Sequence, residues 1–148
     1  MSIAQTTTTS FRVELFQAVH NFGPTSPDTF KIALYTGAAN IGPTTTVYTT
    51  SNEVVGTGYT AGGNTLVISP YPTSGSNAGF VPTAYVSFSN TSWTSASFTC
   101  RGALIYNSTQ SNKSVAVLDF GSDKTVSNDT FQIVFPTADA NSAIVRIS

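Results

Sequence analysis

Any bond-making chemistry in this chain would have to come from very few side chains. His20 is its only histidine, Cys100 its only cysteine, and seven acidic residues stand against six basic ones. A nucleophile, general base or metal centre needs several such groups brought together. His20 lies in the segment Phe11 to Phe22 (FRVELFQAVHNF). At about 100° per residue, Phe11, Leu15, Phe16, Ala18, Val19 and Phe22 share one face and Glu14, Gln17, His20 and Asn21 fall opposite. His20 therefore reads as a solvated helix residue, with a general base or ligand as the alternative. No G-x-S-x-G elbow accompanies it. Cys100 shares a strand face with Phe98 and Leu104, so it reads as a small buried hydrophobe rather than a nucleophile.

The remaining candidates are weaker. Asp119, Asp123 and Asp129 lie within VLDFGSDKTVSND but lack the Asp/Asn ladder, turn glycine and closing Glu of a calcium loop. Turn-forming aspartates that bond their own backbone are expected, with a loose calcium site as the alternative. Gly56, Gly58, Gly62 and Gly63 in VGTGYTAGG are followed by no Lys-Ser/Thr pair, so tight turns explain them better than a phosphate cradle. The sequence thus predicts no catalytic residue, no metal and no cofactor. Tyr48, Tyr59, Tyr71, Tyr85 and Trp93 fall in or near loops, where they could stack on sugars or anchor a protein interface. Interface contacts are the favoured reading, and the candidates are Tyr48, Glu53, Tyr59, Tyr71, Phe80 and Trp93. Four Asn-x-Ser/Thr triplets, at Asn90, Asn107, Asn112 and Asn128, are what a Ser/Thr/Asn-rich chain produces by chance.

These residues must be held by a scaffold, and the composition limits its class. A chain of 148 residues suits one domain with a real core. Charged residues make up 9% against 40% hydrophobic, well below the roughly 25% charged of an average soluble domain. The polar surface therefore falls to Ser, Thr and Asn, which disfavour helix interiors, while Thr, Val, Tyr and Phe suit sheets. A net charge of -1 provides no basic stripe for nucleic acid. Met1 to Ser10 lacks the charged and apolar regions of a secretory signal, and no run approaches the roughly 18 apolar residues of a membrane span. The expectation is a protein made in a cytoplasm, binding neither nucleic acid directly nor a membrane.

Residues 1–9, with the run Thr6 to Thr9, read as an extended arm. Residues 10–148 read as one domain that includes a helix over 11–22, capped by Ser10 and stopped at Gly23-Pro24. Strands are predicted at Phe30 to Thr36, where Phe30, Ile32 and Leu34 alternate with Lys31, Ala33 and Tyr35, and at Leu66 to Ser69. Further strands cover Ala84 to Phe88, Ser95 to Asn107, Val115 to Phe120, Phe131 to Phe135 and Ala143 to Ile147. Pro70 to Pro82, the turn Asn90 to Thr94 and GSDKTVSND read as irregular. In Ser95 to Asn107 the alternation puts Ala96, Phe98, Cys100, Leu104 and Tyr106 on one side. The fold class that follows is all-β, a two-sheet antiparallel β-sandwich of jelly-roll type with one N-terminal amphipathic helix.

Three segments, KIALYTG (Lys31 to Gly37), NEVVGTGYTAGG (Asn52 to Gly63) and RGALIYN (Arg101 to Asn107), occur here in that order. In this combination the chain resembles small virion structural proteins of tailed bacteriophages, closest to capsid decoration or cement proteins. The resemblance spans most of the chain from Lys31 onward and touches about a third of its positions; its motifs are structural and bring no catalytic residue. It implies a sandwich or jelly-roll subunit, dimeric or trimeric, on the capsid surface of the virion. There it would bind the major capsid protein and copies of itself and stabilise the shell. Contacts are expected from Ser2 to Thr9, Thr44 to Gly63 and Tyr71 to Phe80. The alternatives are a tail, baseplate or fibre component, a carbohydrate-binding module and, last, a hydrolase using His20.

Overall fold

The computed structural model describes residues 2–148. Two short elements, β1 (Thr6–Thr7) and α1 (Thr9–Phe16), precede β2 (Phe30–Tyr35), β3 (Asn64–Thr65), β4 (Thr73–Ser76) and β5 (Pro82–Val86). The long β6 (Thr91–Asn107) and β7 (Lys113–Ile133) follow, and β8 (Val145–Ile147) ends the order. All pairings between these strands are antiparallel. One sheet has the order β1-β7-β6-β2-β3 and the other β4-β5-β8, so the chain is an all-β, two-sheet sandwich with a single short helix.

The alternation read in β2 is real, but from Ile32 to Tyr35 both faces are buried. Phe30, Ile32 and Leu34 enter the main core with Phe22, Val86, Phe88 and Val145. Ala33 and Tyr35 point the other way into a second cluster with Leu104, Tyr106 and Val117, roofed by Ile3, Ala39, Ile41 and Tyr48. The irregular segment 37–63 and the N-terminal residues are therefore the lid of the five-stranded sheet. Ala4 N–H donates to Ile41 C=O at 3.0 Å, and Thr6 and Thr7 pair with Val117 and Ala116. Residues 3–7 are docked on the chain's own sheet, and Thr9 already belongs to α1.

The β6–β7 hairpin corrects the sequence reading most. Asn90 to Thr94 and GSDKTVSND were expected to be irregular, yet both lie largely within it, because cross-strand pairing continues past local breaks. Register shifts between Trp93 and Ala96, Ala96 and Phe98, Cys100 and Gly102, and Ile105 and Tyr106 absorb the extra residues. The shift at Cys100/Gly102, where β7 runs five residues from Lys124 to Asp119 against two on β6, also reverses side-chain phase, since an odd excess moves the later side chains to the other face. Ala96, Phe98 and Cys100 stay in the main core with Ala103 and Ile105, while Leu104 and Tyr106 belong to the second cluster. Cys100 thus shares its face with Phe98 but not with Leu104.

Three further boundaries move. β4 forms inside the Pro- and Gly-rich stretch 70–82, because Thr73 to Ser76 pair with β5. The strand expected at Leu66 to Ser69 is instead β3 just before it, plus a single bridge from Ile68 to Phe88. The helix spans Thr9–Phe16 rather than 11–22, and its N-cap is Thr8, whose hydroxyl accepts the Phe11 N–H at 3.3 Å. It ends where Ala18 takes φ 56, with Val19 N–H donating to Glu14 C=O and Ala18 N–H to Leu15 C=O, the paired closure of a Schellman motif. Turning back there brings Phe22 onto Phe30, with ring centroids 4.3 Å apart, and carries His20 inward. Burial of Phe22 wins over two more turns of helix, and Phe16 is left 95% exposed.

Gly58, Gly62 and Gly63 adopt positive φ, as the turn reading of VGTGYTAGG predicts, whereas Gly56 lies pressed against β6. At Gly63, with φ 70, an added Cβ would overlap the Ile32 carbonyl and Ala33 Cα of β2. Substituting Gly63→Ala forces the lid off β2, and should lower the urea midpoint by an amount equivalent to about 2 kcal/mol or more. A wild-type midpoint would contradict this account of how the lid seats.

Candidate functional site

Two polar clusters lie inside the fold. In the first, Glu53 is drawn against the end of β2 by segment 52–54, where Val54 N–H donates to Leu34 C=O at 2.9 Å. Its carboxyl accepts the Tyr48 hydroxyl, the Tyr59 hydroxyl and the Gly62 N–H, each at 2.7 Å. Tyr59 Oη in turn accepts the Leu34 N–H at 2.9 Å, and the Tyr106 hydroxyl donates to Gly62 C=O at 2.7 Å. Burial, then the hydrogen bond to Glu53, pushes the Tyr48 and Tyr59 hydroxyls above the ordinary phenol value. Burial, then the charge of Glu53, pushes Tyr106 up to about 12. Every phenol here is a fixed donor, and the carboxyl oxygens are taken by the chain's own lid. The cluster clasps residues 48–62 to the sheet.

The second cluster corrects the expectation for His20. Its side chain is buried and lies 5.0 Å from the Phe11 ring, between centroids. Asn107 fixes the tautomer: Oδ1 accepts the Thr109 and Gln110 N–H groups, so Nδ2 must face His20 Nδ1 at 3.0 Å and Asp28 Oδ2 at 2.8 Å. His20 Nδ1 is therefore the acceptor and Nε2–H donates to Glu14 at 2.8 Å. Lys113 Nζ donates to the other Glu14 oxygen at 2.9 Å. The helix, the 21–28 loop and the β6–β7 turn are joined by this chain of bonds. The early end of α1 is what puts Glu14 and His20 together, six residues apart, a pairing that helical spacing would not give.

Cys100 is buried, and burial pushes its thiol up to about 12, with the charge of Asp123 adding to the rise. A thiol in that state is a packing group rather than a nucleophile. Asp119 accepts Arg101 Nε at 3.1 Å and Gly121 N–H at 2.9 Å, and Asp129 accepts its neighbour Thr130 N–H at 2.7 Å. The Gly121 and Thr130 contacts are local backbone bonds of the kind expected, and the pair with Arg101 is an addition to that reading. Among the described residues no three His, Cys, Asp or Glu side chains gather as a metal site.

Of the six interface candidates, the fold separates surface from interior. Tyr71 and Phe80 are exposed at 43% and 89%, Tyr48 and Tyr59 are half-buried, and Glu53 and Trp93 are interior. Trp93 packs between Tyr59 and Phe131, 6.0 Å from each ring, and provides no platform for a sugar. Its position inside β6, rather than in a turn, is the reason.

The surface also shows what the sequence did not signal. A groove of about 510 Å³ runs between α1 and β8 on the open flank of the sandwich, with Phe11, Leu15, Val145 and Ile147 in its walls and Arg12 and Arg146 beside them. At the β4–β5 turn, Phe80 stands out at φ 60. Its turn is fixed by Asn77, whose Oδ1 accepts the Gly79 and Val81 N–H groups at 2.9 and 3.1 Å. No family model, no curated protein and no solved structure matches this chain.

Glu14 gives the polar interior a pH signature. Burial pushes its carboxyl up, but the hydrogen bonds of Lys113 and His20, with the charge of Lys113, outweigh that and hold it below its ordinary 4.5. A lowered folded-state value means the contribution is complete above 4.5 and is lost as pH falls through the folded value. Urea midpoints measured from neutral pH down through this range should fall for the wild type and fall less steeply for Glu14→Gln. Parallel curves for the two proteins would show that Glu14 is not held in this way.

Proposed function

We propose that this chain is a non-enzymatic structural subunit of a tailed-bacteriophage particle, most specifically a capsid decoration or cement protein. In this reading it binds the major capsid protein and neighbouring copies of itself, as a dimer or trimer, on the outside of the virion. The observation that carries the proposal is Phe80. A bulky residue at positive φ is a backbone outlier, costing about 1–3 kcal/mol, and strain of this kind marks functional positions. Phe80 is also 89% exposed, so it gains nothing from the chain's own core to offset that strain. A partner that buries the ring provides the missing return, at about 25 cal/mol per Å² of apolar surface removed from water.

Other features point the same way. Val55 is 94% exposed within the lid, and Tyr71 is 43% exposed just before β4, at the end of the β4–β5 hairpin away from its turn. A standard interface takes about 800 Å² per partner, roughly a tenth of the 7419 Å² surface here. Meanwhile the interior titratable groups are occupied by internal bonds, which favours adhesion over catalysis. The three segments resembling phage virion proteins supply the particle itself. A tail, baseplate or fibre position is the neighbouring reading.

Purified particles examined by gel and mass spectrometry should contain this chain at a copy number comparable with the shell protein. A handful of copies would move it to the tail or neck, and absence would overturn the proposal. Phe80→Asn, a residue that tolerates the left-handed region, should fold with equal or higher thermal stability and yet be depleted from particles at least about tenfold. Undiminished incorporation would remove Phe80 as the carrier of the argument.

A further inference from the structure

We propose that the groove between α1 and β8 is a second binding site, for an extended partner segment that alternates apolar and acidic residues. Three observations meet there. β8 is the last strand of its sheet, with β5 on one side and no strand on the other among the described residues, and such an edge offers backbone groups to an added strand. Next to that edge, the groove walls are apolar: Phe11 and Leu15 from the helix face Val145 and Ile147 of β8. Phe16 at 95% exposure and Ile147 at 59% continue this surface to the rim.

The charge is specific. The chain has three arginines, Arg12, Arg101 and Arg146. Arg101 is paired with Asp119, whereas neither Arg12 nor Arg146 has a carboxylate partner among the described residues. Arg12 reaches only the Thr9 hydroxyl, and Arg146 only the Asn141 carbonyl. Both residues line this one groove, and no Asp or Glu lines it with them. In a chain only 9% charged, this is a local excess of positive charge on apolar walls. A segment with carboxylates on one face and aliphatic side chains on the other satisfies both features, with guanidinium–carboxylate bonds fixing its register. An alternating pattern is what a strand presents to two surfaces.

The probe is a capped synthetic peptide of about six residues alternating Val and Glu, long enough to cover β8, with a Val and Lys version as the control. Added to the isotope-labelled protein, the Glu peptide should shift the amide resonances of Val145 to Ile147. Charge reversal at both positions, Arg12→Glu with Arg146→Glu, should weaken binding at least about tenfold, and the neutral pair Arg12→Gln with Arg146→Gln should fall between. The Lys peptide should not bind. No shift with the Glu peptide, equal binding of the Lys peptide, or unchanged binding by the charge-reversed protein would each overturn the site. Self-association of the wild type that the charge-reversed protein loses, with no peptide binding, would overturn it in favour of a second copy as occupant. The result is separable from the particle reading. High copy number in particles without peptide binding leaves the assembly role standing and removes this site, and peptide binding by a chain absent from particles does the reverse.

Discussion

β2 and the stretches of β6 and β7 paired beside it, Gly102 to Asn107 and Ser114 to Val117, are buried on both faces, and that single constraint organises the rest of the molecule. A sheet that is dry on both sides needs two covers. The small sheet β4-β5-β8, with Phe11 and Phe22, closes one face around Phe30, Ile32 and Leu34. Only irregular chain is left for the other, where Ile3, Ala39, Ile41 and Tyr48 lie over Ala33, Tyr35, Leu104, Tyr106 and Val117. Irregular backbone on an apolar surface carries polar groups that no ladder satisfies. The Glu53 clasp meets this demand, collecting two phenols and the Gly62 N–H on one carboxyl.

The same logic accounts for the His20 cluster. Once the helix stops at Phe16, the following turn has to carry Phe22 to Phe30 and brings a histidine inside with it. A buried imidazole needs partners at both nitrogens, and Glu14 and Asn107 supply them. Polar residues that would suggest catalysis in an open cleft are here the fasteners of loops. At the periphery a strained phenylalanine and an unpaired strand edge with two arginines remain unsatisfied by the chain itself, and the proposed partners act there.

Much of the architecture was legible in the sequence, and the reasons differ from element to element. The two-residue alternation of Phe30, Ile32 and Leu34 identified β2 because packing follows that period directly. The β-rich class followed from a surface made of Thr, Ser and Asn. The phase of β6 after Cys100 was not legible, since a bulge at Arg101-Gly102 leaves no periodic trace. The end of α1 was hidden because Ala18, rather than a glycine, takes the left-handed position that closes the helix. His20 was misplaced for the same reason, as its angular position was counted along a helix that had already ended. Glu53 read as an interface residue, because its partners Tyr48, Tyr59 and Gly62 become a cluster only when the lid folds over the sheet. Phe80 was visible as a loop aromatic, but its strained backbone was not.

The central claim is that the interior polar groups are locks that hold the lid on the sheet. Native-state hydrogen exchange on Glu53→Ala tests it most directly, because it reads the lid and the sheet separately. The amides of Leu34, Thr36 and Val54, which bond across the junction with the lid, should lose protection together, by about 2 kcal/mol or more, while Leu104 and Val117 keep more of theirs. Unchanged protection at Leu34, Thr36 and Val54 would contradict the account.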